Sequence, residues 1–266
     1  MALPEPRKDG AALVTGASAG IGEATARELA GRGYNLIIVA RRKPRLDALA
    51  KELIAETGVE VETLGCDLGS ATSRARLPKR IESLGLDVDV LVNNAGFATG
   101  GRFEESEPER ELEQVRVLCE APVALVSAFL PGMLERGAGA VLNVASTAAF
   151  QPLPYSAGYS AAKAHSLAFS EALHGEVSGR GVSVTALCPG PVKTEFWEVA
   201  GDQPIEATVP DLVWTTPEQC AKDAVNGLAS GSRVVVPGLP VKAGFSALRL
   251  LPNALKIPVA ERLMRP

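Results

Sequence analysis

Short, mostly apolar runs recur along the chain at residues 11–15, 36–40, 59–66, 88–92, 140–145, 182–187 and 234–236, each separated from the next by a stretch with helical spacing. A run such as Leu36-Ile37-Ile38-Val39-Ala40 has no polar side. A strand of that kind must be covered on both faces, which is the condition of a parallel sheet. The segments at 21–32, 44–57, 70–84, 108–136, 155–180 and 217–229 supply the covering helices. In the segment 44–57, Leu46, Leu49, Leu53 and Ile54 fall at helical spacing and Gly58 closes it, as Gly33 closes the segment 21–32. The helix over 108–136 contains Pro122 and Pro131 and is expected to kink or break there. Parallel strands require right-handed crossovers. The expected fold is therefore α/β: a doubly wound, seven-stranded parallel sheet in three α/β/α layers, with its ligand at the carboxyl ends of the strands.

The chain has 266 residues, 46% of them hydrophobic, and carries no internal repeat or low-complexity linker. One domain over 1–266 is expected. The less regular stretch at about 195–215 reads as a lid or a surface excursion. Lys and Arg total 27 against 31 Asp and Glu, a net charge of −4, and no basic block suits a phosphate backbone, so nucleic acid is not an expected partner. Cys66, Cys119, Cys188 and Cys220 are far apart and form no C-x-x-C, which argues against a zinc site or a disulfide framework. No metal is expected. The first ten residues hold no apolar signal core, and no stretch reads as long and apolar enough to span a bilayer. The expected location is the cytoplasm.

Thr15-Gly16-Ala17-Ser18-Ala19-Gly20-Ile21-Gly22 joins the first strand to the first helix. Glycines there let the backbone turn tightly and let a pyrophosphate approach the helix N-terminus. The spacing is G-x-x-x-G-x-G rather than the commoner G-x-G-x-x-G. The end of the second strand reads Ala40-Arg41-Arg42. An acid there would hold the ribose 2′-hydroxyl of NAD; two guanidiniums suit the 2′-phosphate of NADP. Tyr159 and Lys163 stand four residues apart and share a helix face. A Lys ammonium beneath a Tyr favours the phenolate and is expected to lower a phenol pKa that starts at about 10. Ser146, thirteen residues before Tyr159, could hold the oxygen that receives a proton. A lone Y-x-x-x-K is also common on solvated helix faces.

Five ordered motifs now stand at strand ends: TGASAGIG, Asn93-Asn94-Ala95-Gly96, Ser146, Y-x-x-x-K and Cys188-Pro189-Gly190. Together, over about 11–194, they resemble the short-chain dehydrogenase/reductase family, and in overall look its bacterial ketoacyl reductase-like members. The resemblance implies a Rossmann-type domain that binds NADP(H) and reduces a carbonyl, a ketone of 3-oxoacyl, steroid or other lipid-like type, to an alcohol. Tyr159 would be the proton donor. Lys163 would tune it and bind the nicotinamide ribose, and Ser146 would hold the substrate oxygen. Cofactor contacts are implied for Gly16, Ser18, Gly20, Ile21 and Gly22, for Arg41 and Arg42, and for Asp67 and Leu68 at the adenine. They are implied also for Asn94, Ala95 and Gly96, for Tyr159 and Lys163 themselves, and for Pro189, Gly190, Val192 and Thr194 around the nicotinamide. Asp67 could instead cap the segment that follows it. A homodimer or homotetramer built on the long helices is implied as well.

One position departs from the family pattern. Where members carry an Asn that holds a relay water near the Lys, this chain has Leu118. Either a backbone carbonyl and solvent take over the relay, or turnover is slow, or the chain is an impaired NADP(H)-binding protein acting through partners. Phe97, Phe150, Phe196, Trp197 and Trp214 are candidate pocket residues favouring an apolar small-molecule substrate. The apolar and basic tail, about 240–266, could cover the pocket, extend a subunit interface, rest on a membrane surface, or pack as a terminal helix.

Overall fold

The computed structural model describes residues 3–196, 213–238, 241–242 and 252–265. Among these, strands β1 (Gly10–Thr15), β2 (Asn35–Ala40), β3 (Val61–Gly65), β4 (Asp87–Asn93), β5 (Gly139–Val144), β6 (Val182–Leu187) and β7 (Val234–Val235) form one sheet in the order β3-β2-β1-β4-β5-β6-β7. All six pairings are parallel. The expected seven-stranded, doubly wound sheet is present. The order reverses between β1 and β4, which opens a crevice at their carboxyl ends.

Alternation along the strands explains the layers. In β1, Ala12 and Val14 join one buried cluster with Leu36, Ile38, Val90 and Val92. Their neighbours Ala11 and Leu13 join a second with Ile37, Val39, Leu91 and Val141. Successive side chains point to opposite faces, so the unbroken apolar runs feed two cores. Each fully buried side chain of this size contributes roughly 1.5–3 kcal/mol.

Helices α1 (Gly20–Gly31), α2 (Lys43–Thr57) and α7 (Pro217–Ala229) supply Leu29, Leu46, Leu53 and Leu228 to the first core. Helices α3 (Ala71–Glu82), α5 (Ala121–Arg136) and α6 (Ala157–Val177) supply Leu77, Leu125 and Leu173 to the second. Ser70 caps α3, its hydroxyl accepting from the Ser73 N–H, and Gly58 closes α2 at φ +74°.

The expected break in the long helix is absent. Helix α4 (Pro108–Val115) passes into α5 through one π-helical stretch, Arg116–Glu120. Pro122 falls in the turn just after it and has no N–H to return to the Leu118 carbonyl four residues earlier. That carbonyl accepts from Ser166 Oγ of α6 at 3.3 Å. The π stretch absorbs the proline, and the helix runs on.

The continuous helix Pro108–Arg136 is also, by length and composition, apolar enough to cross a bilayer, with a window of mean hydropathy 1.8. This corrects the expectation that no such stretch exists. The core helix of a water-soluble protein passes the same test, and here α5 packs on β4, β5 and α3.

The tail contributes helix α8 (Asn253–Met264), docked by buried Lys256, whose Nζ donates to the Phe150 carbonyl at 3.1 Å. Leu255, Ile257 and Val259 on it are exposed.

Candidate active site

At the crevice, Thr15 ends β1 and pins the exit of β4. Its hydroxyl donates to the Val92 carbonyl and accepts from the N–H groups of Asn94 and Ala95 at 3.0 and 3.1 Å. The Asn94 amide donates to the Thr15 and Gly16 carbonyls at 3.0 and 3.3 Å. Gly16 (φ +67°) and Gly20 (φ +58°) hold left-handed turns. A Cβ on Gly22 would overlap the Gly16 carbonyl oxygen and the Asn94 amide. These glycines therefore serve first to seat α1 against β1 and β4.

The N-terminus of α1, which follows β1 at the crevice, has no side-chain cap, so its leading N–H groups are available to a ligand. That uncapped turn, the left-handed glycines and the adjacent Ser18 and Arg42 fit a dinucleotide pyrophosphate and its ribose. Ile21 packs partly on the first core.

Arg41 and Arg42 follow β2 and are exposed. Each already has a carboxylate partner: Glu113 for Arg41 at 3.2 Å and Glu195 for Arg42 at 3.0 Å. Asp67 is exposed, and its Oδ1 accepts from the Gly69 N–H at 3.0 Å, the local turn that was the alternative reading of this residue. Leu68 is buried in the second core, and its carbonyl accepts from Arg74 at 2.7 Å. Arg74 also pairs with Glu120 of the π stretch, tying α3 to the long helix.

Ser146, Tyr159 and Lys163 come together across β5 and α6. Ser146 is fixed from both sides, because Ala145 N–H donates to the Leu187 carbonyl and Thr147 N–H to that of Pro189. Its hydroxyl accepts from Ala148 N–H at 3.1 Å and lies by the Tyr159 phenol. Lys163 is buried, its Nζ 2.7 Å from the Val144 carbonyl and 5.7 Å from the Tyr159 ring centre.

The pKa shifts depart from expectation. Burial pushes the Tyr159 phenol up to about 12, with the nearby Ser146 hydroxyl acting the other way. Burial pulls Lys163 down to about 8, with the Cys188 and Cys119 thiols acting the other way. Desolvation disfavours whichever form is charged, so it raises the phenol and lowers the ammonium. The tyrosine is thus held protonated at neutral pH.

Leu118 is buried, and a Cβ on Gly96 would meet its Cδ2 at 2.7 Å. Below it runs a polar string. Asn93 donates to Asn143 Oδ1, Asn143 to Ser170 Oγ, and Ser170 to the Ser166 carbonyl.

After β6, the loop is pinned by a parallel bridge between Val192 and Thr215. Pro189 receives the Thr147 bond, Gly190 backs onto Val241, and Thr194 lies on the first turn of α1, its Cγ2 3.0 Å from where a Gly20 Cβ would be.

The candidate pocket aromatics separate. Phe196 stands beside Tyr159, ring centres 5.9 Å apart. Phe97 is buried under the Arg110 guanidinium, and Phe150 belongs to a small buried cluster with Leu167 and Cys188. Trp214 is half-buried; Trp197 and most of the 195–215 stretch lie outside the described residues.

A glycine-lined turn and an uncapped helix at the switch point of an open parallel sheet define a dinucleotide-binding protein of the doubly wound class. More narrowly, the chain belongs to the short-chain dehydrogenase family, whose model matches residues 10–204. A short chain dehydrogenase of Pseudocercospora fijiensis is 38% identical over 190 residues, 70% of this chain and 60% of that protein, so the chain spans less than two thirds of this relative. The very-long-chain 3-oxoacyl-CoA reductase of Anas platyrhynchos is 32% identical over 234 residues, 85% of this chain and 72% of the relative. Among solved structures, a short-chain dehydrogenase from Sphingobium yanoikuyae in complex with NADPH superposes with a TM-score of 0.81 at 35% identity, covering 90% of this chain and 92% of the other.

Proposed function

We propose that this chain is an NADP(H)-dependent carbonyl reductase acting on an apolar ketone, of which a 3-oxoacyl thioester is the favoured class. The observation that carries the reading is the convergence of Ser146 and Tyr159 beside a buried Lys163, whose Nζ lies 5.7 Å from the Tyr159 ring centre. In this proposal NADPH, when bound, supplies the hydride. Ser146 holds the carbonyl oxygen and donates to it as negative charge develops there. Tyr159, kept protonated by burial, delivers its proton to that oxygen. Lys163 holds a positive charge beneath the phenol below about pH 8 and stabilises the phenolate left behind.

The Leu118 carbonyl, with Ser166 beside it, is the group on hand to seat a relay water for Lys163, since the leucine side chain cannot. Leu118→Asn is therefore expected to leave kcat within about threefold of the wild type, or to raise it, because a carbonyl-seated relay does not use the side chain. A collapse in kcat with an unchanged melting curve would show that the leucine itself is required.

Phe196, tilted at 54° beside the Tyr159 ring, favours an apolar group next to the reacting carbon. The exposed alanines of α6, among them Ala161, Ala164 and Ala168, suit a close helix pairing in a homodimer or homotetramer.

The test is NADPH and NADH consumption with acyl, steroid and sugar ketones. In the same assay Arg42→Ala should raise the KM for NADPH by about tenfold and leave NADH within twofold, since only the former has a 2′-phosphate for the guanidinium. Equal losses for both cofactors would remove Arg42 from the phosphate.

A further inference from the structure

Arg42 donates from Nε and Nη2 to Ser18 Oγ at 3.2 and 3.1 Å, and from Nη1 to Glu195 at 3.0 Å. Arg45, in the first turn of α2, donates from Nη1 to both Glu195 oxygens at 2.8 and 2.9 Å. Glu195 directly follows Thr194, whose side chain lies on the N-terminal turn of α1 at Gly20. One carboxylate from the exit of β6 thus bridges two guanidiniums at the exit of β2. It sits on the same arginine that the proposed function assigns to the cofactor's 2′-phosphate.

Two guanidiniums converging on one oxyanion, with a serine hydroxyl alongside, form the donor set that a phosphate monoester takes. The three charged side chains are about half exposed, with relative exposures of 46% for Arg42, 50% for Arg45 and 46% for Glu195. Exposed pairs of this kind add little to folding and yield readily to a better anion. A phosphate, with nearly two negative charges and three acceptor oxygens, is that anion. NAD carries only a neutral 2′-hydroxyl, for which a carboxylate is the customary acceptor. Glu195 therefore acts unequally on the two cofactors.

We propose that Glu195 is a specificity-determining residue. Its carboxylate holds the Arg42–Arg45 pair in the place of the 2′-phosphate and has to give way to it, and Arg45 is the second guanidinium of the phosphate subsite. The inference rests on the NADP(H) reading above. It predicts that the chain's preference for NADP(H) is smaller than its arginines alone would give.

The test is calorimetric titration of the purified chain with NADP+ and with NAD+, which needs no substrate. Glu195→Gln should tighten NADP+ about three- to tenfold and leave NAD+ unchanged or weaker. Adding Arg45→Gln to Glu195→Gln should cancel the gain. An NADP+ Kd that is unchanged or raised in Glu195→Gln, or an equal tightening of both cofactors, overturns the role of Glu195. A double variant that keeps the gain removes Arg45 from the subsite. A wild-type chain that binds the two cofactors equally overturns the NADP(H) reading itself, whatever the variants do. Both substitutions are on exposed side chains, and matching thermal melts confirm that folding is not what changed.

Discussion

Tyr159→Phe is expected to lower kcat for ketone reduction by about 10³-fold or more, with the Kd for NADPH within about twofold of the wild type. The substitution removes one oxygen and keeps the ring. The ring's contacts with Phe196 and Lys163 therefore survive, and so does the shape of the crevice. What is lost is the proton that the alkoxide must receive, together with the phenol oxygen that lies by Ser146. A water could still donate, but it would have to be ordered beside the apolar Phe196 ring. Stopped-flow loss of NADPH absorbance measures the rate, and fluorescence titration measures binding. A variant that keeps more than a tenth of the activity would place the proton donor elsewhere.

Gly22→Ala is the second large effect. Within a helix this substitution ordinarily stabilises by about 1 kcal/mol. Here the sign should reverse, with a loss of roughly 2–4 kcal/mol, because the new methyl overlaps the Gly16 carbonyl and the Asn94 amide. The first of these is backbone and cannot swing aside. Gly31→Ala, in the same helix with nothing within 4 Å of its Cβ position, is the control and should be neutral or slightly stabilising. Denaturant midpoints for the two variants decide the matter. Equal midpoints would mean that the glycine turn has room to spare and that Gly22 is there only for a ligand. Displacing Asn94 should also weaken cofactor binding in Gly22→Ala.

The sheet was legible because its signal is local and repeated. Runs such as 36–40 and 182–187 are apolar on both sides, and only a buried parallel strand uses both. The third strand is shorter than its run, Val61–Gly65 against 59–66, since Glu60 and Glu62 give that edge a solvated side. The Ser146–Tyr159–Lys163 cluster was legible from spacing and motif order. Its electrostatics were not, because whether a phenol is raised or lowered depends on how much water reaches it. The carboxylates on Arg41 and Arg42 were hidden for another reason: Glu113 and Glu195 lie 72 and 153 residues away along the chain. No window of sequence joins them. Arg45 could have been found as the third arginine of the Arg41-to-Arg45 stretch. Among the aromatics, Phe97 and Phe150 turned inward, while Phe196 stands at the phenol. Residue type alone could not separate them.

The π stretch at Arg116–Glu120 has a consequence for length. An α-helix advances about 100° per residue, so one residue accommodated in a widened turn leaves the two halves out of phase with an ideal continuation. Glu113 meets Arg41 and Gln114 meets Thr99 on one side of that offset, while Leu125 and Met133 face the sheet on the other. Neither half could be kept in place by trimming the other. The helix can exchange side chains along much of its surface, yet its residue count between Gln114 and Leu125 is part of the active-site geometry, as binding a constraint as any named side chain.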